Sequence, residues 1–131
     1  MLDPVRTQRV EGVVVAALAV VVTVAAGYAW WWLLALFLIF DLSMVGYLRG
    51  PHVGAFCYNL AHSYALPALL GAVAVAFAAS GDPIDWLGVL AIAWVFHIAV
   101  DRALGYGLKT TEGFEHTHLG RIGKAKTKGG G

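Results

Sequence analysis

Charged residues are scarce in this sequence. Asp, Glu, Lys and Arg make up 13% of its 131 residues, while 60% of the residues are hydrophobic. Soluble globular domains carry about 25% charged residues, so this composition is typical of a membrane protein. The only cysteine is Cys57, which excludes an intrachain disulfide. The formal net charge of +1 gives no sign of a nucleic-acid partner, and none is expected.

Four long apolar stretches are present, and each comes close to or exceeds the roughly 20 residues that cross a bilayer as a helix. They run over residues 10–26, 30–48, 53–79 and 84–104. Their continuous apolar character favours helices over the alternating strands of a membrane barrel. The connections between them are very short, which makes neighbouring spans antiparallel. The sequence therefore predicts one domain over residues 1–131, an all-α integral membrane antiparallel four-helix bundle.

The two ends of such a bundle differ in charge. All nine Lys and Arg residues fall at the end that holds both termini and the middle connection, whereas Asp82 and Asp85 lie at the opposite end. Short positively charged segments stay in the cytoplasm, so both termini are predicted to be cytoplasmic. Residues 105–123 are expected to form an ordered cytoplasmic cap, and residues 124–131 a flexible tail.

Several ionisable side chains lie inside the predicted spans, where they are costly and usually functional. Asp41, His62 and His97 belong to three different spans, and the antiparallel topology places them at a similar depth. Asp101 follows His97 by one helical turn and shares its face. Because histidine and carboxylate side chains bind zinc, we predict that His62, His97 and Asp101 bind a divalent metal such as zinc. Asp41 is expected to be a further ligand or the catalytic general base.

Other polar residues near the same end are predicted to support this site. They are Glu11, Tyr58, Asn59, Arg102 and His118. His118 and the nearby His116 would supply additional ligands from the C-terminal segment. Pro67 is expected to kink the third span close to His62, because a proline inside a helix removes a hydrogen bond and crowds the preceding turn.

The sequence leaves other functions open. The same polar groups would suit a proton- or ion-coupled transporter, which would require a homo-oligomer because four short helices cannot form a wide pore. They would also suit a structural accessory subunit in which they only fix the packing. His62 and His97 are compatible with axial ligation of a haem, although carboxylates are unusual in a haem pocket. Membrane lipids are the partners that all of these functions share.

Four stretches of the chain carry a resemblance to a known family. They are DLSMVGY at 41–47, YNLAH at 58–62, HIAVDRALGYGLK at 97–109 and THLGRIG at 117–123. They resemble a family of small bacterial membrane proteins catalogued only as a domain of unknown function, and the resemblance covers about Arg9 to Gly123. It implies a four-span protein of the bacterial inner membrane and assigns no activity. The His and Asp arrangement is also similar to membrane-embedded metal-dependent hydrolases, which implies hydrolysis of a lipid or other amphiphile.

Overall fold

The computed structural model describes residues 3–109, 116–118 and 120–121. In chain order, its helices and strands are α1 (Pro4–Ala25), α2 (Trp32–Ala35), a 3₁₀ helix (Phe37–Arg49), α3 (Pro51–Ala61), α4 (Ala65–Ala79), α5 (Asp85–Leu104), β1 (His116–Thr117) and β2 (Gly120–Arg121). The predicted tail, and most of the predicted cap beyond Lys109, lie outside the described residues.

Four helical segments are long and apolar enough to cross a membrane, as the sequence predicts. They are Pro4–Ala25, Trp32–Arg49, Pro51–Ala79 and Asp85–Leu104. Many large apolar side chains on these segments are exposed on the surface of the bundle, among them Val21, Leu38 and Val75. Such a surface is stable in hydrocarbon and costly in water. The all-α four-span architecture is therefore confirmed.

The first helix begins at Pro4 rather than near residue 10, because its start is set by capping and not by hydropathy. The side chain of Asp3 accepts a hydrogen bond from the backbone N–H of Arg6 at 3.0 Å. Pro4 occupies the first helical position, where its fixed φ and missing N–H are tolerated. The added turns bring Arg9 to α5, where its Nε donates to the Ala103 carbonyl at 3.0 Å.

The second span is not one regular α-helix. After the short α2 it continues as the 3₁₀ helix, which is long for that conformation, since 3₁₀ runs usually extend only three or four residues. Side chains three residues apart eclipse one another in a 3₁₀ helix, so Asp41 and Met44 project to the same side. Gly46 on this helix lies against α3, where an added Cβ would be 2.9 Å from the Cβ of Cys57.

The third span is interrupted between α3 and α4, near the position expected from Pro67. The α-helix ends at Ala61 and resumes at Ala65, which places Pro67 in the first turn of α4, where a missing N–H costs little. The break leaves backbone carbonyls without helical partners. Trp94 Nε1 donates to the Ala61 carbonyl at 2.5 Å, and Arg102 Nη2 donates to the His62 carbonyl at 3.0 Å.

The fourth span, α5, is the centre of the bundle. It packs against α1, α4, α2 and the 3₁₀ helix, while α3 packs against the 3₁₀ helix. Ala93, Ile98 and Ala99 on α5 are fully buried. The contact with α1 is closest at Gly12, where an added Cβ would lie 2.7 Å from both the Ala99 carbonyl oxygen and the Ala103 nitrogen.

This close contact predicts different effects for two glycine-to-alanine changes. Gly12→Ala should lower the unfolding temperature in mild detergent, because the new methyl group must push α1 away from α5. Gly71→Ala is the matched control, since its Cβ would meet only the Ala91 Cβ, at 3.8 Å, and alanine is favoured over glycine inside a helix by about 0.5–1 kcal/mol. Equal unfolding temperatures for the two variants would show that α1 and α5 do not pack this closely at Gly12.

Candidate metal centre

Four side chains from three spans meet near one end of the bundle, and together they form what we call the His/Asp cluster. Its members are Asp41 on the 3₁₀ helix, His62 at the end of α3, and His97 and Asp101 on α5. One ligand atom from each residue lies within 4.8 Å of the others. His97 and Asp101 meet because they are one helical turn apart. His62 joins them from the break in the third span.

The distances from each histidine nitrogen to the other nitrogen and to the two carboxylate oxygens are close to those around a small tetrahedral ion. His62 Nε2 is 3.4 Å from Asp41 Oδ1 and 3.4 Å from Asp101 Oδ2. His97 Nε2 is 3.3 Å from each of the same two oxygens, and the two Nε2 atoms are 3.0 Å apart. A tetrahedral zinc site with bonds of about 2.0–2.1 Å holds its ligand atoms about 3.3–3.4 Å apart. This cluster could therefore hold a metal ion.

The hydrogen bonding of His62 also favours a cation at this position. Its Nδ1 is 2.9 Å from the backbone carbonyl oxygen of Tyr58, and because a carbonyl only accepts, Nδ1 must carry the hydrogen. In the neutral ring, Nε2 then presents a lone pair towards two carboxylate oxygens. A cation removes this repulsion, and metal-binding histidines usually donate their second N–H in the same way.

The burial of the cluster raises the cost of leaving its charges unbalanced. The side chains of His62 and His97 are 2% and 0% exposed, and that of Asp101 is 13% exposed. Asp41 is the most open of the four, at 30%. Two carboxylates in an apolar bundle require positive charge nearby. A divalent ion with two neutral imidazoles makes the cluster neutral overall.

Aromatic side chains hold the two imidazoles in place. The Tyr58 ring stacks on His62 with a centroid separation of 3.8 Å. Phe37 and Phe40 lie against His97 at 4.5 and 5.5 Å between centroids. The Tyr58 hydroxyl also reaches Asp101 Oδ2 at 3.5 Å. These contacts restrict the rings to orientations in which both Nε2 atoms point at the same place.

Lys109 lies beside the cluster. The sequence does not indicate this, because there Lys109 is only one of several positive charges at the end predicted to be cytoplasmic. Its backbone pairs with the Asn59 side chain, with Asn59 Nδ2 donating to the Lys109 carbonyl at 2.7 Å and the Lys109 N–H donating to Asn59 Oδ1 at 2.5 Å. Lys109 is 4% exposed, and its Nζ lies 4.7 Å from the Tyr58 ring centroid. Burial lowers the pKa of Lys109 to about 8, although Asp101 and Asp41 oppose this shift.

A cavity opens onto the cluster and gives it access to small molecules. Its volume is about 160 Å³, enough for several waters. The residues that line it are Asp41, Met44, Tyr58, Asp101, Tyr106 and Lys109. Asp41, the least buried member of the cluster, lines this cavity together with Lys109. Gly105 has a φ of 93°, a left-handed conformation that suits glycine, and it turns the chain after α5 so that Lys109 returns to the cavity.

Three of the predicted supporting residues lie away from the ligand atoms. His118 Nδ1 accepts a hydrogen bond from the Leu108 N–H at 2.8 Å, and His118 Nε2 is 2.9 Å from Gln8 Oε1, so the described contacts of His118 are not with the cluster. Burial and the nearby Arg102 lower the pKa of His118, which favours its neutral ring. Arg102 and Glu11 line a separate cavity with His118. The side chain of His116 lies outside the described residues.

Comparison with known proteins identifies a family for this chain but assigns no activity to it. A family model described as a domain of unknown function (DUF4260) matches residues 5–122. No curated protein matches the chain, and no solved structure matches it. The geometry of the His/Asp cluster and its surroundings is therefore the basis for any function.

Proposed function

The chain belongs to the DUF4260 family, whose description assigns no activity, and we propose that it is a membrane-embedded metal protein. The His/Asp cluster binds one divalent transition metal, of which zinc fits best, and uses it to hydrolyse a lipid or other amphiphile. The observation that carries this proposal is the convergence of two imidazole nitrogens 3.0 Å apart, each of which lies 3.3–3.4 Å from one oxygen of Asp41 and one oxygen of Asp101. Two imidazoles and two carboxylates suit zinc better than thiolate-seeking copper(I) or the six-coordinate magnesium.

The residues at the cavity have distinct roles in this proposal. A bound divalent ion activates water and polarises the bond to be cleaved. His62, His97 and Asp101 would hold the ion, and Asp41 would be a further ligand or the general base. Asp41 then accepts a proton from the attacking water. The water oxygen bonds to the acyl or phosphoryl atom of an ester, the bond to the leaving oxygen breaks, and the proton passes from Asp41 to that oxygen.

Lys109 supplies positive charge where negative charge develops. Its side chain lines the same cavity as Asp41 and Asp101, and a buried cation stabilises an oxyanion more strongly than one in water.

The position of the cavity favours an amphiphilic substrate. The cluster lies within segments that can cross a membrane, and a molecule already in the bilayer reaches it at lower cost than a strongly hydrated one.

A proton-relay function is the second candidate, and one distance favours it. The 3.0 Å separation between His62 Nε2 and His97 Nε2 also suits a hydrogen bond. Protons would then pass between the imidazoles and the two carboxylates. This function predicts a protein that binds no transition metal and works as a homo-oligomer, so the metal content of the purified protein separates the two candidates.

The test of the metal proposal is elemental analysis of protein purified in mild detergent without chelators. We expect about one equivalent of zinc or a related divalent ion, reduced about ten-fold or more in His97→Ala. His52→Ala is the matched control, because His52 is exposed and lies outside the cluster, and it should keep its metal. Metal that stays in His97→Ala, or its absence from the wild-type protein even after zinc is added, would contradict the proposal.

We also propose that the cluster faces the cytoplasm of a bacterium, because the basic residues in the described part of the chain, among them Arg9, Arg49 and Arg102, lie at its end of the bundle. Cys57 is the only cysteine, so Cys57→Ala gives a background without thiols. In that background, a membrane-impermeant maleimide applied to intact cells should label Asp82→Cys. It should label His52→Cys only after the cells are permeabilised. Labelling in the reverse order would place the cluster on the outside.

A further inference from the structure

A groove follows α5 between α1 and α4, which both pack against it. Two cavities occupy the groove, one of about 430 Å³ and one of about 310 Å³. Val15 lines both of them, so the two cavities adjoin. On α1 and α5, and at Tyr64 just before α4, the residues that line the larger cavity lie nearer the end that holds the His/Asp cluster. The groove therefore runs along the bundle from that end towards its middle.

The larger cavity has charges of both signs. Arg102 lines it and is 9% exposed, while Glu11 lines it from the more open side. Tyr64 also lines it and interacts electrostatically with both residues. His118, another polar group in its wall, has a lowered pKa and is neutral when it accepts the hydrogen bond from the Leu108 N–H. The cavity thus offers one cationic and one anionic group.

The smaller cavity is apolar along its whole length. Its walls include Val15, Leu18 and Val22 on α1 and Pro67 and Gly71 on α4. Ala91, Ile92 and Val95 of α5 form its floor. Gly71 leaves room in the wall, because a Cβ added there would meet only the Ala91 Cβ, at 3.8 Å. A hydrocarbon chain fills such a groove without any polar group being buried.

We propose that the groove binds one phospholipid with an ethanolamine headgroup. The ammonium group pairs with Glu11, the phosphate pairs with Arg102, and one acyl chain lies along the apolar cavity. An anionic phospholipid leaves Glu11 without a cation, and a choline headgroup has no N–H to donate to the carboxylate. This binding site is separate from the metal proposal, although Arg102 touches both regions through its hydrogen bond to the His62 carbonyl.

Native mass spectrometry of the full-length protein tests this site. Lipids with identical acyl chains and ethanolamine, choline or glycerol headgroups are added in equal amounts to protein in neutral detergent. We expect several-fold more of the ethanolamine lipid to be retained. Glu11→Gln should remove its advantage over the choline lipid. Asp82→Asn is the matched control for loss of one negative charge, since Asp82 is exposed and lies outside the groove. This variant should keep the preference for the ethanolamine lipid.

A second pair of variants tests the apolar part of the groove. Gly71→Leu places a branched side chain where the acyl chain lies and should reduce retention of all three lipids several-fold, whereas Gly71→Ala should retain them normally. If Gly71→Leu does not fold, Ala68→Leu fills the same cavity from an exposed position. Equal retention of the three headgroups, an ethanolamine preference that survives Glu11→Gln, or full retention in the filled variant would overturn the proposal. None of these outcomes depends on the metal content.

Discussion

The balance of charge in the His/Asp cluster is the constraint on which the rest of the structure depends. Two carboxylates lie beside two buried imidazoles in a bundle whose other interior contacts are mostly apolar, and such a group is stable only if a cation or protons neutralise it. A divalent ion meets this need with the least rearrangement, because His62 already directs a lone pair at the centre of the cluster. The same balance is what would make the cluster reactive.

The backbone is irregular where it delivers these groups. The second span changes to a 3₁₀ helix before Asp41, and the third span breaks at His62. Irregular backbone at membrane depth is tolerated only where protein satisfies the freed polar groups. Here Trp94 and Arg102 donate to the carbonyls released by the break. Both residues are on α5. The central helix therefore carries His97 and Asp101 of the cluster, and it also stabilises the break that positions His62.

The sequence predicts the spans and the composition of the cluster, and physical reasons explain this success. Hydropathy over about 20 residues reports directly on bilayer crossing, and short connections then fix which ends meet. The His97 and Asp101 spacing fixes a shared face in any α-helix. In contrast, hydropathy does not distinguish a 3₁₀ helix from an α-helix, and the second span takes the 3₁₀ form where it packs against α3. The burial of Lys109 depends on its pairing with Asn59, 50 residues away, and a hydropathy pattern contains no information on such a contact.

X-ray absorption spectroscopy at the zinc edge tests the central claim most directly, because it reports the ligands of a bound ion in the intact protein. We expect four nitrogen or oxygen neighbours at about 2.0–2.1 Å, with outer-shell scattering from two imidazoles. A sulfur neighbour, which Cys57 or a methionine would have to supply, or a shell of six oxygens without imidazole scattering, would contradict the His/Asp cluster as the metal centre.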